Sequence, residues 1–212
     1  MYILTEIIKE DMKPALGVTE PGAIAFAGAK AKSYITEEIE KVKVRLNSGI
    51  YKNAFTCGIP NSDEVGNLFA AALGVVAGKA DRGLESLEDV TKEDNKKAQK
   101  LIDEGKIKVE LNRISSDIFI EVEIITQKEN SIVRIEGTHT NIVEIIVNGE
   151  TIFSKELEKK EENKEEIVLH RYSVKDILKY IDNVDISEIE FIMKAHDMNM
   201  ILFQEGLNNK KT

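Results

Sequence analysis

Cysteine occurs once in this chain, at Cys57. A single thiol excludes an internal disulfide and any multi-cysteine metal site built from this chain alone, and it leaves a reducing cytoplasm as the default compartment. Positive charge is also in deficit. The 29 Lys and Arg against 38 Asp and Glu give a net charge of −9, and with no basic cluster this argues against a nucleic-acid partner. Long apolar runs are missing: the longest, from Leu68 to Ala77, is too short to cross a bilayer, so no membrane partner is expected. Residues 1–13 are mixed and acidic, without the basic start and apolar centre of a signal peptide. No internal repeat is visible. What remains is the composition of a soluble globular protein, 42% hydrophobic and 32% charged over 212 residues, enough for one large domain or two small ones.

The chain is organised around Gly17-Val18-Thr19-Glu20-Pro21-Gly22 and the helix that this stretch opens. Thr19 has the side chain of an N-cap, Glu20 suits the positive end of the helix dipole, and Pro21 is tolerated in a first turn. The helix continues through Ala23-Ile24-Ala25-Phe26-Ala27-Gly28-Ala29-Lys30-Ala31 to about Tyr34 with little bulk on several faces. Other backbone can therefore approach it closely, and its free first-turn N–H groups suit an anion. A tightly packed core helix with an ordinary cap is the plainer reading.

Around this helix the pattern alternates. Apolar residues at 4, 7, 8 and 12 predict an amphipathic helix that Pro14 ends. Val42, Val44 and Leu46 alternate with Lys43 and Arg45 as in a half-buried strand. Asn47-Ser48-Gly49 breaks it, and residues 50–60 read as irregular. Asn61, with Glu64 three residues on, predicts a capped helix to Ala77, which Gly78 ends. Thr91 caps a further helix, residues 92–104. A β-rich block follows at 107–111, 118–124, 132–135, 143–147 and 151–153, with the hairpin dipeptide Asn148-Gly149 before the last run. Strands joined this closely are expected to pair antiparallel. The fold class expected is α+β: an antiparallel-rich sheet packed with helices, followed by a C-terminal helical segment.

Three segments of organisation follow. Residues 1–154 form an α+β domain with a candidate substrate pocket. Residues 155–171, rich in Lys and Glu, form a charged linker or helical extension, the linker being favoured. Residues 172–212 form C-terminal helices. In these, Ser173 with Asp176 caps one helix, and a last helix from about Glu188 to Leu207 carries apolar positions 189, 192, 193, 200, 203 and 207 as one stripe that suits an interface.

Candidate chemistry lies in three places. One is the helix start, Thr19 and Glu20. The second is Asn47, Ser48, Tyr51, Lys52 and Asn53, leading to Gly58-Ile59-Pro60, where a strand end meets polar residues. Lys52 can pair with a carboxylate or, if desolvated, act as a base; it can equally be a surface lysine. The third is His139, Thr140 and Asn141 at another strand end. His139 suits a general acid or base, or a structural bond to backbone. Cys57 reads as a buried, inert thiol, since no basic residue adjoins it. His170 and His196 receive no role.

These blocks carry a resemblance. Ala15-Leu16-Gly17-Val18-Thr19-Glu20-Pro21, Ile50-Tyr51-Lys52-Asn53, Gly58-Ile59-Pro60, Glu64-Val65-Gly66, Ala70-Ala71, Leu73-Gly74 and His139-Thr140-Asn141-Ile142-Val143 resemble the N-terminal half of the L-cysteine desulfidase family, relatives of the iron–sulfur L-serine dehydratases. The resemblance covers nearly the whole chain. It implies a lyase that removes sulfide or water from a small L-amino acid by β-elimination to leave pyruvate and ammonia. Such enzymes use a 4Fe-4S cluster held by cysteines, with one iron open to the leaving group.

The residue before Thr-Glu-Pro is typically a cysteine in that family; here it is Val18, which cannot ligate iron. The family's other ligand cysteines lie in a C-terminal half that this chain lacks. The expectation is therefore a substrate-binding half or subunit, using Thr19, Glu20, Asn47, Ser48, Tyr51, Lys52, Asn53, His139, Thr140 and Asn141 to hold a small L-amino acid. The catalytic candidates are Lys52 and His139. The chain alone would bind no metal and no cofactor, would be inactive, and would take any cluster from a partner chain. It would form a homo-oligomer or a heteromer with a C-terminal-half subunit. The alternative is a non-catalytic amino-acid-binding or regulatory subunit on the same fold.

Overall fold

A computed structural model describes residues 2–12, 14–155 and 171–208. The chain divides into two compact units. One comprises residues 1–14 and 158–212, beginning with helix α1 (Tyr2–Asp11); the other comprises residues 15–157.

The larger unit is a six-stranded sheet with helices α2 (Thr19–Lys32), α3 (Ser48–Ala54), α4 (Gly66–Ala77) and α5 (Lys92–Asp103). Its strands are β1 (Lys41–Asn47), β2 (Ile107–Arg113), β3 (Phe119–Ile125), β4 (Asn130–Glu136), β5 (Ile142–Val147) and β6 (Glu150–Ser154), in the order β2-β1-β3-β4-β5-β6. Every neighbouring pair is antiparallel except β1 with β2, which run parallel. The expected α+β class holds. The expectation that consecutive strands pair fails once, at β2 and β3, because β1 lies between them.

Alternation explains the layers. Val42, Val44 and Leu46 of β1, Ile120, Val122 and Ile124 of β3, Val133 and Ile135 of β4, and Ile145 of β5 are buried in one core with Ile24, Phe26 and Leu73. Each such side chain taken from water contributes about 1.5–3 kcal/mol. The alternate positions carry a charge lattice across the strands. Glu121, buried, accepts from both Arg45 and Arg134. Arg134 also reaches Glu144 at 2.5 Å, and Lys43 reaches Glu123 at 3.1 Å. At the β5–β6 turn Asn148 and Gly149 both have positive φ, 51° and 82°, the left-handed pair that a tight hairpin of matching twist requires.

The helix carrying the candidate site is positioned by shape. α2 crosses α4 so closely that a Cβ on Gly74 would lie 2.6 Å from the Cα of Ala25 and 2.8 Å from its carbonyl carbon. Nearly every residue of α2 from Pro21 to Ala31 is buried.

Several local expectations are corrected. Thr19 is the first helical residue, and Val18 is the N-cap, without a side-chain bond. Residues 48–54, read as a break and irregular chain, form α3. Asn61 does not cap a helix: its φ is 57° and its amide donates to the carbonyls of Leu87 and Glu88, tying down a loop, while α4 begins after Val65. Thr91 caps its helix as expected, and Asp94 closes a full capping box with it.

In the smaller unit, α6 (Val174–Asn183) starts from the expected Ser173–Asp176 capping box. The last predicted helix is two, α7 (Ile186–Ile189) and α8 (Phe191–Asn208). The sequence reading placed residues 1–14 in the α+β domain. They group instead with residues 158–212, where Thr5 Oγ1 and Tyr180 Oη, both buried, lie 2.7 Å apart. Of the charged segment 155–171, residues 156–170 lie outside the described residues, as does His170.

Candidate functional site

Four of the ten residues singled out in the sequence come together at the start of α2. Thr19 and Glu20 stand on its first turn, Asn53 on the last turn of α3, and His139 in the loop between β4 and β5. Asn53 Nδ2 donates to Glu20 Oε1 at 3.0 Å. Thr19 Oγ1 lies 3.3 Å from Glu20 Oε2 and 3.5 Å from His139 Nε2. The threonine hydroxyl has one proton. If it goes to Glu20, the oxygen is left to accept from His139 Nε2–H, so the cluster suits a histidine protonated at Nε2.

Burial works against the charge on Glu20. The amide of Asn53, a backbone N–H, His139 and the Thr19 hydroxyl outweigh it and hold the carboxyl below its ordinary range. Glu20 is therefore an anion at neutral pH. The N-cap Val18 offers no side-chain acceptor; Pro21 has no N–H and the N–H of Glu20 turns to its own carboxylate, so what the start of this 14-residue helix offers an anion is chiefly its dipole.

The β4–β5 loop that presents His139 is built from its own neighbours. Asn141 Nδ2 donates to the carbonyl of Glu136 at 2.9 Å, and the backbone N–H of Glu136 returns to Asn141 at 3.1 Å. Lys155 reaches Asn141 Oδ1. Asn141 thus shapes the loop. Thr140 faces the 3-10 turn at residues 80–85, its methyl 3.9 Å from where a Cβ on Gly83 would stand.

The remaining predicted residues have structural partners elsewhere. Asn47, 1% exposed, donates to the carbonyl of Ser115 at 2.9 Å and accepts from the N–H of Phe119 at 3.1 Å. Ser48 exchanges hydrogen bonds with the backbone of Ser115. Both fasten the β2–β3 connection. Tyr51 stacks on Phe55, and its carbonyl accepts from Asn67. Lys52 is exposed beside Asn53; its carbonyl accepts from the Phe55 N–H at 3.3 Å, and no hydrogen bond or ion pair of its side chain occurs among the described residues. Cys57 is half-exposed, contrary to the buried thiol expected, and its Sγ donates to the Asn53 carbonyl at 2.7 Å. One feature had no sequence signal: Leu84 presses its carbonyl onto α2, 3.3 Å from where a Cβ on Gly22 would stand.

A hollow lined by Glu37, Glu38, Ile39, Glu40, Lys106 and Gln127 lies apart from this cluster, and no residue of the cluster lines it. Among its side chains Lys106 pairs with Glu38, and Glu37 accepts from the Thr126 hydroxyl. The residues at the helix start do not fit an iron–sulfur cluster. Val18 offers no ligand atom, and a lone thiol falls short of the three or four thiolates required. Among the described residues no helix is long and apolar enough to cross a membrane.

No protein-family model and no solved structure matches the chain. It is 36% identical over 211 residues to a UPF0597 protein of Caldanaerobacter subterraneus subsp. tengcongensis, covering 99% of this chain and 50% of that protein. Against a UPF0597 protein of Clostridium tetani it is 38% identical over 211 residues, 98% of this chain and 49% of that protein. Against one of Clostridium botulinum it is 36% identical over 210 residues, 98% of this chain and 48% of that protein.

These names correct the resemblance to the L-cysteine desulfidase family, since relatives aligned over nearly the whole chain carry neither a desulfidase nor a dehydratase name. The structure gives some of the glycines in the blocks that suggested it packing duties: the Gly74–Ala25 crossing, and Gly66 against the Phe55 carbonyl. What the chain is similar to is a UPF0597 protein, and it spans about half the length of the curated relatives it matches.

Proposed function

We propose that the start of α2 binds a small L-amino acid, and that the chain is the substrate-binding half of a longer β-elimination lyase giving pyruvate and ammonia. The observation that carries the reading is the convergence of Thr19, Glu20, Asn53 and His139 from three separate segments beside an uncapped helix start. A zwitterion matches that arrangement. Its carboxylate gains from the helix dipole, worth about 0.3–1 kcal/mol when exposed and more when partly buried. Its ammonium meets Glu20, which is held ionised.

His139 is then the candidate base for the α-proton, with Lys52 exposed beside Asn53 as the second catalytic candidate. Departure of the β-substituent and hydrolysis of the enamine complete the reaction. Any metal centre that assists the leaving group would come from a partner chain. A homo-oligomer or a heteromer is part of the same proposal.

Titration calorimetry with L-serine, L-cysteine and their deaminated analogues tests it. Saturable binding of the amino acids is expected, weaker in Glu20→Gln, whereas the deaminated acids should respond little to that change. No saturable heat from any amino acid, or equal binding by Glu20→Gln, overturns the reading.

A non-catalytic amino-acid-binding or regulatory subunit is the second reading. Favouring it, the Lys52 side chain makes no hydrogen bond or ion pair with the cluster among the described residues, so one of the two catalytic candidates stands apart from it. Pyruvate release by the chain with its complementary half separates the two.

A further inference from the structure

Helix α8 has no buried residue. Met193, Met200, Phe203 and Leu207 recur along it at helical spacing, and all are exposed. Ile201 and Leu202, exposed by 58% and 66%, fall on the remaining sides. At 100° per residue, Met200, Ile201, Leu202 and Phe203 surround the helix completely. This one turn, apolar on every side, belongs against more than a single partner seam, although Lys194, Asp197, Gln204 and Glu205 make the rest of the helix amphipathic. Val174, Leu178 and Ile181 of α6 and Ile186 of α7 are exposed as well. An apolar surface of this extent marks a binding interface.

A second copy meeting α8 along one helix–helix seam would cover one stripe and leave the others wet. Covering all sides takes a folded mass with more than one contacting element. The relatives supply one by length: they align with nearly all of this chain over about half of their own length and contain about as much sequence again.

We propose that α8, with the apolar positions of α6, docks against polypeptide equivalent to the half of the UPF0597 relatives that this chain does not span, whether that half is continuous with it or a separate chain. This surface is distinct from the α2 cluster, so amino-acid binding and docking can succeed or fail independently.

The test co-expresses this full chain with the unmatched half of the Clostridium tetani relative and measures the mass of the purified species by light scattering and the affinity by interferometry. A 1:1 complex is expected. Ile201→Glu with Phe203→Glu should weaken it roughly thirtyfold or more, as loss of buried aromatic and aliphatic anchors does. Both side chains are exposed in this chain, so its melting temperature should not move. Lys96→Glu, at an exposed position of α5, should leave the affinity unchanged. Failure of the two halves to associate, association that ignores the double substitution, or a self-dimer through α8 in preference to the complex overturns the proposal.

Discussion

Gly74→Ala adds one methyl group and should be among the most damaging small changes available in this protein. The new Cβ would stand 2.6 Å from the Cα of Ala25 and 2.8 Å from its carbonyl carbon, where ordinary van der Waals contact needs about 3.4 Å or more. The obstacle is helix backbone, which cannot rotate aside as a side-chain end can, so α2 and α4 must separate by several tenths of an ångström. Overpacking of this kind costs about 1–3 kcal/mol, and a backbone clash belongs at the top of that range. Replacing a mid-helix glycine by alanine returns about 1 kcal/mol. The net loss is about 2 kcal/mol, which for a chain of this size lowers Tm by about 4–8 °C. Gly206→Ala is the matched control, because a Cβ there meets nothing within 4 Å on exposed α8. It should gain about 0.5–1 kcal/mol of helix stability. Thermal and urea unfolding, followed by far-ultraviolet circular dichroism, read both variants. Equal shifts, or a Gly74→Ala protein as stable as its parent, would refute the claim that α2 is positioned by backbone contact.

Asn47→Ala should destabilise by about 1–3 kcal/mol for each partner left unpaired, because the Phe119 N–H and the Ser115 carbonyl both lose it; urea midpoints at constant slope would show this, and a neutral outcome would return Asn47 to the ligand site. His139→Ala and Lys52→Ala should each stay within about 0.5 kcal/mol of the parent while His139→Ala weakens amino-acid binding, so a large fall in Tm from either would favour a structural role. Burial raises the Glu121 pKa, but Arg134 and Arg45 lower it further, leaving it below its ordinary value. The stability this brings is full above the unfolded-state value of about 4.3 and lost as pH falls through the lower folded value. Glu121→Gln should therefore flatten the acid limb of ΔG against pH, and an unaltered limb would count against it. Anaerobic reconstitution of the chain alone with iron and sulfide should leave it colourless, since one thiol cannot hold a cluster.

Period-two alternation made four of the strands readable, a β-branched run and the Asn148-Gly149 hairpin signal gave the other two, and the alternation also marked the two faces of the sheet. It could not say which strands are neighbours. Val42, Val44 and Leu46 have the same pattern whether they sit at an edge or, as they do, between β2 and β3. Capping chemistry was reliable where hydroxyl and carboxylate closed a full box, at Thr91 and Ser173. It misled at Asn61, whose amide serves two carbonyls distant in sequence. Helix α3 escaped notice because Ser48 and Gly49 are poor helix formers, and tertiary packing of Ile50 and Ala54 overrides that local preference. At the candidate site, residue type flagged Asn47 and Asn53 equally. Only burial distinguishes them: Asn47 is sealed against the β2–β3 connection, and Asn53 faces Glu20.

The place of β1 also bears on how this protein folds. Strands β3 to β6 follow one another through short connections at residues 126–129, 137–141 and 148–149, so they can zip up from local encounters. Val44 must instead find Val122 on one side and Val109 on the other, both far down the chain. Contacts of that range demand chain closure before they return any energy, and they slow folding accordingly. Insertion of β1 is then the step that completes the sheet, and Val44→Ala should change the refolding rate more than Ile152→Ala on the outermost strand.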